Sequence, residues 1–146
     1  MANVFKLRKG LNINLVGKAR EEKFAVRPSS VYALSPSDFP GVTPKVCVKE
    51  GDHVLAGDAL FYNKACPDVR FASPVSGTVC AIERGERRKV LFVKVEADAT
   101  QQHRDFVKAD PATLDGESVK SKLLEAGLFG FINQLPYAVS TLPDTH

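Results

Sequence analysis

Two Gly-Asp steps set close together in "EGDHVLAGDAL" (Glu50 to Leu60) limit most strongly how this chain can fold. Gly51 and Gly57 tolerate positive φ, and Asp52 and Asp58 can bond their own backbone, so each step reads as a tight turn. Extended runs flank both turns. In "KVCVK", Val46 and Val48 face one way, while Lys45, Cys47 and Lys49 face the other. After "SPVSGTV", Val79 and Ala81 alternate with Thr78, Cys80 and Ile82. "RGER" marks another turn, with Gly85 as the turn residue. Val90 to Val95 then forms a strand whose apolar face holds Leu91, Val93 and Val95. Two halves thus share one plan: an extended run, a glycine turn, a second extended run. The unit occurs only twice, which excludes a solenoid. Short strands with Gly and Pro punctuation predict a small β sandwich or barrel.

The flanks agree with that plan. Leu11, Ile13 and Leu15 alternate with Asn12 and Asn14 between glycines, as in a half-buried strand. "VRPSSVYALSPSDFPGVTP" carries four prolines. Proline lacks the ladder N–H, so turns and edge strands are expected there. From about residue 104 the pattern changes. "DPATLDGESVKSKLLEAGLFGF" predicts a helix with Asp115 as N-cap, Glu117 in the first turn and Gly127 at C′. Val119, Leu123 and Leu124 form its apolar stripe. The expected fold is therefore mainly β with a C-terminal helix (α+β). A β domain spans 1–105, and a helix and tail over 106–146 lead into the next domain of a longer protein.

Composition narrows the function classes. With 44% apolar residues, the 146-residue chain can bury a core. A net charge of +3 without a dense Lys/Arg cluster gives no nucleic-acid footprint. Three cysteines, Cys47, Cys66 and Cys80, occur without a CxxC pair and fit a reducing compartment such as the cytoplasm. The N-terminus lacks a signal-peptide h-region, and no apolar run is long enough to span a membrane. His53, His103 and His146 stand apart from the partners a metal needs, and no GxGxxG or GxxxxGK[ST] phosphate cradle is present.

Three groups of residues remain as site candidates. Lys64 lies in "NKA", between the Gly-Asp turns and "SPVSGTV", where swinging-arm domains carry a lipoyl or biotinyl lysine. "CPDV" (Cys66 to Val69) is expected to lengthen the loop after it, and the Met-Lys-Met biotin signature is absent. "RGERRK" concentrates Arg84, Arg87, Arg88 and Lys89 around one acid and suits docking on an acidic partner or lipid head groups. Phe129, Phe131 and Tyr137 fall in the apolar stretch "LFGFINQLPYAV". They suit core packing, a partner subunit, or a planar hydrophobic ligand.

The ordered series "KGLNINLVG", "SPSDFPGVTPKVCVKEGDHVLAGDALF", "RFASPVSGTV", "AIERGERRKVL" and "DPATL…LLEAGL" covers almost the whole chain. It closely resembles the N-terminal part of the A subunit of the Na⁺-translocating NADH:quinone reductases. "SPVSGTV" alone would equally suit lipoyl domains, membrane-fusion adaptors or the C subunit of the related Rnf complex. The resemblance implies a biotinyl/lipoyl-like barrel-sandwich hybrid without a modified lysine. It implies a peripheral, non-catalytic piece of a respiratory complex at the cytoplasmic face of the bacterial inner membrane. Its partners would be the other subunits, especially the membrane-embedded ones. No cofactor is expected on this chain, because the flavins (FAD, FMN, riboflavin) and the iron–sulfur centre belong to other subunits. Association with quinone binding and assembly is implied too, with Phe129, Phe131 and Tyr137 near the quinone and Arg84, Arg87 and Arg88 docking partners. Family members often carry a "GLWxxLRxRP" pattern. Here Phe129 keeps the aromatic and Pro136 the proline, but Asn133 and Gln134 replace the arginines.

Overall fold

The computed structural model describes residues 16–144. The strand expected around Leu11, Ile13 and Leu15 lies outside the described residues. In chain order the strands are β1 (Val31–Leu34), β2 (Pro44–Val46), β3 (His53–Val54), β4 (Ala59–Asn63), β5 (Cys66–Ala72), β6 (Gly77–Arg84) and β7 (Val90–Ala97). Helix α1 (Gly116–Glu125) follows, then the short strands β8 (Asn133–Gln134) and β9 (Val139–Ser140). One antiparallel sheet runs β1-β7-β6-β3, a second runs β2-β4-β5, and β8 pairs only with β9. Both strands from the proline-rich segment, β1 and β2, are edge strands, and the only proline within them, Pro44, stands at the first position of β2.

The core forms between the two larger sheets. Phe61 and Phe71, opposite each other on β4 and β5, stack with ring centroids 4.8 Å apart. Phe39 packs on Phe71 at 4.3 Å. Val79, Val93 and Val95 close the core from the four-stranded sheet and are fully buried with Leu60 and Val69. Burying each such side chain contributes roughly 1.5–3 kcal/mol.

Both Gly-Asp turns form, and each extends its own sheet. Gly51 has φ +93° and Gly57 φ +102°. Asp52 Oδ2 accepts from Lys49 N at 2.7 Å, and Asp58 Oδ2 accepts from Leu55 N at 2.9 Å. Gly51 N–H donates to the Val79 carbonyl at 2.8 Å, and Val79 N–H donates to the Asp52 carbonyl at 2.8 Å. Gly57 and Asp58 make the matching pair with Ser73, at 2.9 and 2.7 Å.

Two β-bulges correct the face assignments. On β6 the register passes from Val79↔Val95 to Ala81↔Lys94, leaving Cys80 unpaired. Ile82, rather than Ala81, therefore turns toward the core. On β7 the register passes from Glu83↔Phe92 to Arg84↔Val90, so Leu91 is the extra residue. Val90 is buried in its place and Leu91 is 38% exposed.

The helix starts and stops where expected. Asp115 Oδ1 accepts from Ser118 N at 3.0 Å, and Gly127 takes φ +67° just past the C-cap Ala126. "DPAT" forms a separate 3-10 turn over Pro111–Thr113, capped by Asp110. Leu123 and Leu124 pack on the core, whereas Val119 stays exposed, so the apolar stripe is narrower than its spacing suggested.

Candidate functional site

Lys64 stands at the tip of the β4–β5 hairpin. Asn63 pairs with Cys66, so Lys64 and Ala65 form a two-residue turn. The buried Asn63 side chain shapes it: its Oδ1 accepts from Ala65 N at 3.2 Å and from Thr43 N at 3.3 Å. Lys64 N–H donates to the Thr43 carbonyl at 2.8 Å, while its side chain is exposed. The expected lengthening of this loop by "CPDV" is thereby corrected. Between Tyr62↔Arg70 and Asn63↔Cys66, three residues of β5 have no partner: Pro67, Asp68 and Val69. The extra length is a bulge inside the strand, where a proline costs no ladder bond, and Val69 uses it to reach the core. The tip itself remains tight.

The three aromatic candidates do not share one environment. Phe129, 9% exposed, belongs to the hydrophobic core. It opens the 3-10 turn Phe129–Phe131 that follows α1. A Cβ at Gly130 would lie 2.5 Å from the Phe71 ring, so only glycine allows this approach. Phe131 is 53% exposed and sets its ring edge-on to Phe39 at 5.1 Å. Tyr137, 82% exposed, lies between β8 and β9. Ser140 ties this hairpin down: Ser140 Oγ donates to the Gly130 carbonyl at 3.0 Å, and Ser140 N–H to the Pro40 carbonyl at 2.9 Å. Leu128, Ile132 and Leu135 join Phe131 and Tyr137 as exposed apolar side chains of this segment.

Arg84, Arg87 and Arg88 gather at the β6–β7 tip. Gly85 is extended (φ −95°, ψ −157°), so the expectation that it makes the turn is corrected. The turn is made by the arginines themselves, Arg87 at φ 53° and Arg88 at φ 60°. Gly85 instead accommodates Leu91, whose Cδ1 would lie 3.2 Å from a Cβ placed there.

A fourth feature had no sequence signal. The solvent face of the β2-β4-β5 sheet and the two Gly-Asp turns enclose a cleft of about 600 Å³. Val48, Val54, Ala59 and Pro67 supply its apolar lining, and Cys47, Tyr62, Arg70 and Arg104 its polar one. Tyr62 sits between Lys45 and Arg70 in the sheet register, with the Lys45 Nζ 5.7 Å from its ring centre. Arg104 arrives from the chain after β7. Ala56 N–H donates to the Gln102 carbonyl at 3.0 Å, and Arg104 N–H to the Ala56 carbonyl at 2.9 Å. Ser76 Oγ, fully buried, accepts from Gln102 N at 2.9 Å and anchors the same segment. The Cys47 thiol donates to the Ala59 carbonyl at 3.1 Å; burial pushes its pKa up, and the nearby Arg70 charge opposes that.

Residues 5–98 match a family model described as the NqrA N-terminal barrel-sandwich hybrid domain. The chain belongs to this family. Its curated relatives are named as the A subunit of the Na⁺-translocating NADH-quinone reductase. The Pseudomonas aeruginosa (strain UCBPP-PA14) protein is 35% identical over 144 residues, which is 97% of this chain and 32% of that relative. The protein of Neisseria meningitidis (strain Z2491) is 32% identical over 137 residues, 92% of this chain and 31% of the relative. That of Haemophilus influenzae (strain PittEE) is 32% identical over 134 residues, 90% and 30%. The chain thus spans about a third of the length of these relatives.

This NqrA-type domain keeps the architecture expected of a carrier scaffold: two strand-turn-strand halves facing across an aromatic core. It holds Lys64, the basic tip and the exposed aromatic segment on separate elements. Among the described residues no group of His, Cys, Asp and Glu side chains could hold a metal ion, and no helix is long and apolar enough to cross a membrane.

Proposed function

We propose that this chain serves as the N-terminal barrel-sandwich portion of the A subunit (NqrA) in a Na⁺-translocating NADH:quinone reductase. That complex passes electrons from NADH to a quinone and exports Na⁺. The observation that carries this reading is the match of 97% of the chain to an NqrA relative, on a fold of the same family. The part is non-catalytic by itself, peripheral, and on the cytoplasmic face of the inner membrane. Its partners are the other subunits, especially the membrane-embedded ones, with flavins and the iron–sulfur centre held elsewhere in the complex. Residues 106–146 lead from the barrel into the next domain.

Within this reading the segment Phe129–Tyr137 lies near the quinone. Phe131 and Tyr137 offer it apolar contact, and the buried Phe129 holds the turn that presents them. Arg84, Arg87 and Arg88 dock on an acidic partner surface. The assembly role is tested by replacing the matching part of P. aeruginosa NqrA with this chain and purifying the complex through one of its other components. Retention of the hybrid is expected; its loss while native NqrA is retained would contradict the role. For the quinone contact, Phe131→Ala and Tyr137→Ala are expected to raise the quinone KM in the intact complex, and an unchanged KM for both would remove it.

A second reading has one observation in its favour. Lys64 occupies the tip of a tight hairpin, the position from which a lipoyl or biotinyl arm can swing. Intact mass spectrometry of the protein from its native host separates the readings. An added lipoyl or biotinyl mass supports a carrier, and the unmodified mass supports the scaffold role.

A further inference from the structure

We propose that the cleft between the β2-β4-β5 face and the Gly-Asp turns binds a small organic anion, with Arg70 and Arg104 holding its acidic head. The proposal is independent of the role given above to the whole chain and concerns a different surface from Phe131 and Tyr137.

The polar groups of the lining divide into committed and free. Asp52 and Asp58 each use one carboxylate oxygen to hold a backbone N–H of their own turn. His53 Nε2 lies 2.9 Å from Asp98 Oδ2. Arg70 and Arg104 line the same cleft, and among the described residues neither has a carboxylate within ion-pair distance. Each is nonetheless placed. The strand register sets the Arg70 backbone opposite Tyr62, and its exposed side chain lines the cleft. Arg104 is fixed by the bridge to Ala56 and by the Phe106 ring, whose centre lies 5.4 Å from its guanidinium carbon. A guanidinium presents a planar fork of donors that matches a carboxylate or phosphate.

Size and charge define the ligand. The volume of about 600 Å³ falls in the range of small-molecule sites. Val48, Val54, Ala59 and Pro67 provide apolar walls, and the Tyr62 ring a flat one. The Asp52 and Asp58 carboxyl groups share the same lining, which disfavours a polyanion. The ligand is therefore a compact molecule with one acidic head and an apolar body.

The test titrates the ¹⁵N-labelled chain with benzoate, phenyl phosphate and benzyl alcohol. Saturable shifts are expected at the amides of Val48, Val54, Tyr62 and Arg104 with one or both anions, and none with the alcohol. Whichever anion binds more tightly identifies the head group as carboxylate or phosphate. R70A and R104A should each weaken binding at least tenfold, and R70K by less than R70A, since lysine keeps the charge but loses the fork. Both arginines bear on solvent, so the variants are expected to fold; retained amide dispersion checks this. Shifts scattered over the surface, equal shifts with benzyl alcohol, or undiminished binding by R70A and R104A would overturn the proposal.

Discussion

Gly57 and Ser73 are joined by a hydrogen bond of 2.9 Å from the glycine N–H to the serine carbonyl, and the next residue, Asp58, accepts one of 2.7 Å from Ser73 N–H at its own carbonyl. Gly51, Asp52 and Val79 repeat the arrangement in the other sheet. The two turns are thus equivalent fasteners, one for each half of the barrel sandwich.

This equivalence predicts that Gly57→Ala is costly. At φ +102° any side chain is strained, and a Cβ would also meet Phe106 at 3.1 Å. A loss of about 1–3 kcal/mol is expected in urea unfolding. Gly116→Ala is the control: it sits at the start of α1 with nothing within 4 Å of an added Cβ, and should leave stability unchanged or slightly raised.

Core position is tested by comparing Phe71 with Leu91. Phe71 is fully buried against Phe39 and Phe61, so Phe71→Ala should cost about 3–5 kcal/mol. Leu91 is the bulged residue of β7, half out of the core, and Leu91→Ala should cost less than about 1 kcal/mol. Equal losses would contradict the bulge.

At the basic tip, Arg87 and Arg88 hold left-handed backbone that favours glycine. Arg87→Gly should therefore be more stable than Arg87→Ala by about 1 kcal/mol, although both remove the same charge. In the assembled complex both should weaken retention of the chain alike. A stability difference with equal docking loss separates the backbone effect from the charge effect.

Asp115 gives a pH signature. Hydrogen bonds from Ser118, through its side chain and then its backbone N–H, hold this carboxyl below the usual carboxylate range. Its contribution is therefore complete above the pKa of the unfolded chain and is lost as pH falls through the lower folded value. Asp115→Asn keeps the cap and should remove that component from a plot of stability against pH. Asp115→Ala should lose the cap at every pH.

Much of the fold was legible because its signals are local. Gly51-Asp52, Gly57-Asp58, the Asp115 cap and Gly127 each act within a few residues, and all four stand where the sequence put them. The bulges at Cys80 and Leu91 were not legible, because the phase of a strand is set by its partner's register. "CPDV" suggested a long loop after Lys64, yet the bulge in β5 absorbs it and leaves the tip tight. The same limit applies to sites. Phe129, Phe131 and Tyr137 look alike in sequence, but Gly130 and the Phe71 ring decide that the first is core and the others are surface. Arg70 and Arg104 are 34 positions apart and line one cleft because Gln102 and Arg104 pair with Ala56. No local pattern records that.

A chain that supplies the barrel-sandwich part of NqrA should support the complex's turnover in place of the native segment. The measurement is NADH-driven quinone reduction in membranes of a P. aeruginosa strain whose NqrA carries this chain in place of its own matching segment. Activity well above that of a strain lacking the segment is expected. Activity no higher than in the deletion strain, with the hybrid protein folded and present at native level, would contradict it.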